Sequence, residues 1–394
     1  MKKLLMTAVS AFALSTSVAM AEDIKIGVFL GFTGPIESTV ANMAPGAELA
    51  IKEVSDSGKL LGGSTVSAVR GDTTCIDAAV ATATAERLIT SDGVKAIVGG
   101  DCSGVTTAAL QNVAVPNGVV MISPSATSPA LSTVEDNGLF FRTAPSDARQ
   151  GVIVAEILKE KGANSIAISY TNNDYGKGLA DAIATNFADM GGTVTINVPH
   201  EDGKGDYTAE VGALAAAGGD VLVVAGYVDQ GGRGIVQASI DTGAFDVFYF
   251  PDGMVSPVLA ENHGSDIDGS YGANPGTNSP GAATYAEMAK SAGFEAGPFS
   301  GETYDAAALI MLAMQAAGSS DSGDLKGKVM EVANAPGEKI YPGELAKGLE
   351  ILANGGDIDY VGASAVELIG SGESAGSYRQ VEFQGGELQV VGYR

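Results

Sequence analysis

The sequence predicts an α/β fold in two lobes, each built on a mostly parallel sheet flanked by helices. Three observations carry that reading. Short apolar runs alternate with longer Ala-rich or amphipathic segments along most of the chain. Several runs are near-continuous Val/Ile stretches, as expected of strands covered on both faces. The alternation breaks once, at FFRTAPSDARQG (140–151), and then resumes, which puts a crossing between two lobes there. The length suits two domains or one large two-lobed unit.

The elements follow in order. MKK, a short apolar run and AMA form a secretory leader, with cleavage expected after Ala21. The run is too short to span a bilayer. The first lobe's strands are IKIGVFL, STVSAVRGD, VKAIVGG and GVVMISP. Between them, APGAELAIKEVSDSG puts Ala47, Ala50, Ile51 and Val54 on one helical face and stops at Gly58. DAAVATATAERLITSDG and TTAALQNVAVPNG read as helices in the same way. At the crossing, Ser146 or Asp147 is placed to cap the next helix. The second lobe's strands are SIAISYTN, TVTINVPH, DVLVVAGY and VFYFPDG. A further crossing is expected near GANPGTNSPGAATYAEM, followed by helices in AATYAEMAKSAG and GETYDAAALIMLAMQAAG. The last 40 or so residues read as hairpin-rich. The expected division is 22–143 plus about 275–350 for the first lobe, and 144–274 plus about 351–394 for the second.

The net charge is −25, and −27 once Lys2 and Lys3 leave with the leader. That argues against nucleic acid and anionic membrane surfaces as partners. Two cysteines in an exported chain are expected to pair. Closing the loop from Cys75 to Cys102 is worth roughly 3–4 kcal/mol in the chain-entropy model.

In parallel α/β sheets, ligands bind beyond the carboxyl ends of strands. The first lobe's junctions are rich in glycine and small hydroxyl residues: GFTGPIEST, GGDCSGVTT and SPSATSP. The second lobe's are YTNNDYGKG, AGYVDQGG and PDGMVS. Ser103 and Thr127 would set hydroxyls beside free helix N–H groups, able to hold a carboxylate without Arg or Lys. Asp252 offers an acceptor for an ammonium, and Tyr175 and Tyr227 offer flat faces with polar tips. A free amino acid suits this division.

With these residues in view, the chain resembles the periplasmic branched-chain amino-acid-binding proteins, the type I solute-binding components of ABC importers. The resemblance rests on IKIGVFLGFTGP, GAELAIKEVSDSG, GDTTC, VKAIVGGDCSG, GVVMISPSATSPAL, FFRTAPSD, DYGKGLA, AGY and PDG, in that order and spacing. It implies a type I periplasmic binding fold with a three-strand hinge that closes on solute. It assigns Ser103 to the ligand carboxylate, and Ser125, Ala126 and Thr127 to a loop holding carboxylate and ammonium. It assigns Tyr175 and Tyr227 to aromatic contacts, Asp252 to the ammonium, and Cys75 and Cys102 to a disulfide. Leucine, isoleucine or valine is the implied solute, and membrane permease subunits the implied partner of a monomer in the periplasm.

Two departures bear on the solute. Asp252 stands where the family often carries the longer Glu. Glu37 and Thr39 stand near the first strand, where the family often has an aromatic, and Asp101 and Glu302 lie close to expected pocket positions. A buried unpaired carboxylate is costly, so a polar or cationic amino acid is an alternative solute; rim or interlobe hydrogen bonds are the plainer use of these acids. Amides, urea and aromatic acids are further alternatives, as is a ligand sensor on the same fold.

An enzyme reading centres on Gly100-x-Cys102-x-Gly104, the spacing of a nucleophile elbow. It needs a histidine base, and only His200 and His263 exist. An oxidising compartment and a partner cysteine favour a bridge over a thiolate. No phosphate loop occurs, YGKGLAD breaks the dinucleotide fingerprint at Asp181, and no Cys/His cluster is present. No catalytic residue, cofactor or metal is therefore expected.

Overall fold

The computed structural model describes residues 21–394; the predicted leader lies outside the described residues, apart from Ala21. Two seven-stranded sheets form the frame. The first contains β1 (Asp23–Leu30), β2 (Thr65–Asp72), β3 (Ala96–Gly99), β4 (Val120–Ser123) and β5 (Phe140–Arg142). The second contains β6 (Ser165–Thr171), β7 (Thr193–His200), β8 (Val221–Ala225), β9 (Phe248–Phe250) and β10 (Tyr271–Pro275). All pairings among these ten strands are parallel. The strand orders run β5-β4-β3-β1-β2 and β10-β9-β8-β6-β7. Each order reverses beside its first strand, at β1/β3 and at β6/β8, which opens a crevice at the carboxyl ends there.

After β10 the chain returns to the first lobe. The helix Pro280–Ala292 leads into Ser300–Ala317, which packs along the helix Glu37–Ser57. A small parallel pair, β11 (Glu338–Ile340) and β12 (Ile358–Tyr360), follows. β13 (Leu368–Ile369) and β14 (Glu373–Ser374) then join the edge of the first sheet beside β5. Only after Ser374 does the chain cross back, where β15 (Tyr378–Gln384) and β16 (Glu387–Tyr393) form an antiparallel hairpin on β10. Of the stretch from about 351, expected in the second lobe, β12 thus pairs with β11, and β13 and β14 join the first sheet. These strands, of two or three residues, are too short to mark which sheet they join. The crossings follow β5, β10 and β14, three segments side by side.

The helix Glu37–Ser57 differs from the expectation in its start. It begins seven residues before Ala44 and runs through Pro45. Proline inside a helix removes one hydrogen bond and disfavours the turn before it. Burial holds that turn in place: Val40, Met43 and Ala44 are at most 1 % exposed. Gly46 lets the facing helix close in, since a Cβ there would stand 2.5 Å from the Ser300 carbonyl oxygen. Of the two caps considered at the lobe crossing, Ser146 serves, its Oγ accepting from Ala148 N at 3.3 Å.

Candidate functional site

The carboxyl ends of both sheets face each other across a closed cleft. The lobes meet at its rim, where Ser38 N donates to Asp229 Oδ2 at 2.9 Å and Asp229 N to the Pro35 carbonyl at 3.2 Å. Of the expected site residues, the cleft brings together Asp101, Ser103 and Ser125 from the first lobe with Tyr175, Tyr227 and Asp252 from the second. Each follows the end of a strand by a few residues, namely β3, β4, β6, β8 and β9. The enclosed space is about 30 Å³, so solute enters by separation of the lobes.

The first lobe's floor is a hydrogen-bonded platform. Ser103 opens the helix Ser103–Ala109, and its Oγ accepts from Ser128 N at 3.1 Å. Ser125 Oγ donates to the Asp101 carbonyl at 3.1 Å. Ala126 and Thr127 are fully buried and do not line the cleft. Ala126 N donates to Ser123 Oγ at 2.9 Å, and the Thr127 carbonyl accepts from Asp147 N at 2.8 Å. Beneath this loop lies the Arg142 guanidinium, 1 % exposed, a residue the sequence reading passed over. Its Nη1 donates to the carbonyls of Ala126 and Ser128 at 3.0 and 2.9 Å, and its Nη2 pairs with Glu373 at 2.5 Å. Those bonds anchor the loop from beneath. The signal was available as a lone arginine ending the buried strand FFR.

Asp101 is spent within its own lobe. Its Oδ2 accepts from Gly31 N, and its Oδ1 accepts from Thr73 Oγ1 and Cys102 N at 2.9 Å each. Burial pushes its carboxyl up, and those donors pull it back. Cys102 is disulfide-bonded to Cys75 and offers no thiolate. His200, one of the two candidate bases, pairs its Nδ1 with Ser169 Oγ at 2.8 Å, and burial lowers its pKa to about 4.

The apolar wall comes from residues the sequence reading did not select: Ile36, Met43 and Phe299. Glu37, expected near the pocket, is exposed, while its neighbour Ile36 is 8 % exposed and turned in. Thr39 lines the cleft as the one polar group on that wall. The downstream start expected for the helix hid this face, because only the added turns set Ile36, Thr39 and Met43 at helical spacing toward the cleft.

The second lobe contributes a stacked pair and an acid. The Tyr175 and Tyr227 rings lie 5.2 Å apart at 19°. Tyr175 OH donates to Asp252 Oδ1 at 2.7 Å, and Asn173 Nδ2 donates to Tyr227 OH at 3.3 Å. Asp252 is 4 % exposed and its pKa is raised by burial, against the Tyr175 and Gln150 hydrogen bonds. Behind it sits Asp147, fully buried and raised well above the ordinary range, first by burial and then by the Asp252 charge. Gln150 joins them: its Nε2 donates to Asp147 Oδ1 at 3.1 Å and its Oε1 accepts from Asp252 N at 3.3 Å. The Arg142 charge offsets part of the repulsion between the two carboxyls, and of the two only Asp252 lines the cleft. Glu302 does not line this cleft; it faces a separate cavity near the crossings.

A family model described as periplasmic binding protein matches residues 23–334. The chain belongs to that family. Relatives of this binding protein include Leu/Ile/Val-binding protein homolog 1 of Brucella suis, 31 % identical over 323 residues, covering 80 % of this chain and 83 % of that one. Its fold matches a leucine-binding protein from Thermotoga maritima at a TM-score of 0.79 and 23 % identity, over 94 % and 98 % of the two chains. It also matches a branched-chain amino acid transporter substrate-binding protein from Streptococcus pneumoniae, solved with isoleucine, at 0.77 and 22 %, over 94 % and 99 %. The two-lobed fold expected from sequence is thus the fold found. Among the described residues no helix is long and apolar enough to cross a membrane.

Proposed function

We propose that this binding protein holds a free branched-chain amino acid between its lobes and delivers it to the permease subunits of an ABC importer. The observation that carries the reading is the division of the cleft. Hydroxyls on one lobe face a buried, cation-poor acid on the other, beside an aliphatic and aromatic wall. Ser103 and Ser125 take the solute carboxylate, with Arg142 holding the buried loop through Ala126 and Thr127 in place behind them. Asp252 takes the ammonium, and the added positive charge relieves the repulsion between Asp252 and Asp147. Tyr175 and Tyr227 cover the backbone of the solute. Ile36, Met43 and Phe299 receive its side chain.

Asp101 speaks against a cationic side chain, since both its oxygens are already engaged. The names of the Leu/Ile/Val-binding relatives agree with an aliphatic solute. The protein acts as an exported periplasmic monomer, its leader cleaved after Ala21, and makes or breaks no covalent bond in the solute. Solute shifts the lobes toward closure because it touches both at once only in the closed arrangement.

Calorimetry with leucine, isoleucine, valine, lysine, leucinamide and 4-methylpentanoate tests this reading. The three branched amino acids are expected to bind at about micromolar affinity or tighter, which needs about −8 kcal/mol. Leucinamide and 4-methylpentanoate, each lacking one charged end, are expected to bind at least about 100-fold more weakly. Equal binding of either, or a preference for lysine, would overturn it.

A further inference from the structure

A cavity of 380 Å³ lies beside the three crossing segments, larger than the space enclosed by the cleft and within the size range of small-molecule sites. Both lobes build it. Asn274, Arg379 and Tyr393 come from β10, β15 and β16 of the second sheet, and Tyr285 and Glu302 come from helices of the first lobe.

Two charged groups face this cavity without an ionic partner. Glu302 is 6 % exposed, and among the described residues its carboxyl receives no hydrogen bond from another side chain and no ion pair. Burial raises its pKa to about 7, while Arg379 acts on it only through its field. The half-buried Arg379 donates from Nε and Nη2 to Asn274 Oδ1 at 3.3 and 3.2 Å and meets no carboxylate among the described residues. Buried charges are ordinarily paired. Here an acid and a base line one chamber and stand farther apart than an ion pair.

Phe299 joins this chamber to the cleft, for its residue lines both. It sits at φ 59°, in the left-handed region that a bulky residue rarely adopts, just before the helix Ser300–Ala317. Whatever presses on the chamber side of Phe299 therefore acts on the wall of the amino-acid cleft.

We propose that this hinge chamber is a second solute site, taking a compact zwitterion whose ammonium meets Glu302 and whose carboxylate meets Arg379, and that its occupancy favours closure. Glu302 moves with the first lobe and Arg379 with the second, so a solute spanning them binds the open and closed arrangements unequally. Linkage then makes the hinge solute and the cleft solute tighten each other, a coupling that rests on the cleft reading above. Zwitterions of graded length therefore read how far apart the two groups stand.

Calorimetry on the mature chain, with β-alanine, 4-aminobutanoate and 5-aminopentanoate as probes, tests the proposal. At least one probe is expected to bind the leucine-saturated protein at one site and to raise leucine affinity about five-fold or more. Glu302→Gln and Arg379→Met are each expected to abolish probe binding and the coupling, each variant being read against its own leucine affinity without probe. Should either fail to fold by circular dichroism, Ala283→Leu fills the chamber mouth from an exposed position and is expected to do the same. A probe that competes with leucine, binds all variants equally, or does not bind at all overturns the proposal. Failure of leucine itself to bind would refute the cleft reading instead, and direct probe binding to wild type and variants would still decide the hinge site.

Discussion

Asp252→Asn isolates the charge that the proposed ammonium contact depends on. The side chain keeps its size, and its amide oxygen can still accept from Tyr175 OH, which now lies 2.7 Å from Oδ1. A hydrogen bond to a buried charged group contributes about 1.5–3 kcal/mol. Asp147 works against the full loss. Its carboxyl is raised by the Asp252 charge, so removing that charge lets Asp147 ionise more readily and supply part of the field. A loss of about 2 kcal/mol, or about 30-fold in leucine affinity, is therefore expected. Asp252→Asn with Asp147→Asn should lose more than Asp252→Asn alone. Isothermal calorimetry at neutral pH measures both. Repeating it in buffers of different ionisation enthalpy counts protons, and the wild type should release more on binding than Asp252→Asn, since an ammonium lowers the pKa of both acids. An affinity loss under about three-fold with no change in proton release would refute the ammonium role of Asp252.

Three further outcomes follow from other parts of the molecule. Met43→Ala should weaken leucine by about 1–2 kcal/mol and alanine by much less, because only the longer side chain reaches that wall; calorimetry with both solutes checks this. Reducing the Cys75–Cys102 bridge should lower stability by about 3–4 kcal/mol, seen as a drop in melting temperature, since it frees a 27-residue loop in the unfolded chain. The Glu302 carboxyl has a folded pKa of about 7 against an ordinary 4.5. Its protonated form is the one the fold favours, so its contribution is fully present below about pH 4.5 and is lost as pH rises through about 7. Glu302→Gln should therefore match the wild type near pH 4.5 and exceed it by about 3 kcal/mol at pH 8, in urea melts at the two pH values.

Local chemistry is enough to read the strands, the lobes and half of the site. Val/Ile runs such as VKAIV and DVLVV are buried on both faces, so their periodicity marks them wherever they occur. Residues just after such strands are where a parallel sheet presents ligands, which is why Ser103, Tyr175, Tyr227 and Asp252 could be chosen from the order of the chain, whereas Thr127, chosen the same way, is buried off the cleft and Ser125 rested on the family resemblance. The pairing of Cys75 with Cys102 followed from number and compartment.

Other features arise only when distant segments meet. Pro45 argues locally against a helix through it, and packing on Ser300–Ala317 overrides that argument, bringing Ile36 and Met43 to the cleft. Asp101 and Glu302 are both acids near the pocket in sequence, yet one is surrounded by donors and the other faces a chamber across from Arg379. Leu368–Ser374 reads as a hairpin, and only the open edge beside β5 decides which sheet it completes. Periodicity and turn residues act over a few positions and are written in the chain itself. Which carboxylate is satisfied, and which apolar face lines a cleft, depends on neighbours from other elements of the chain, such as Gly31 and Thr73 around Asp101, and tertiary packing sets them.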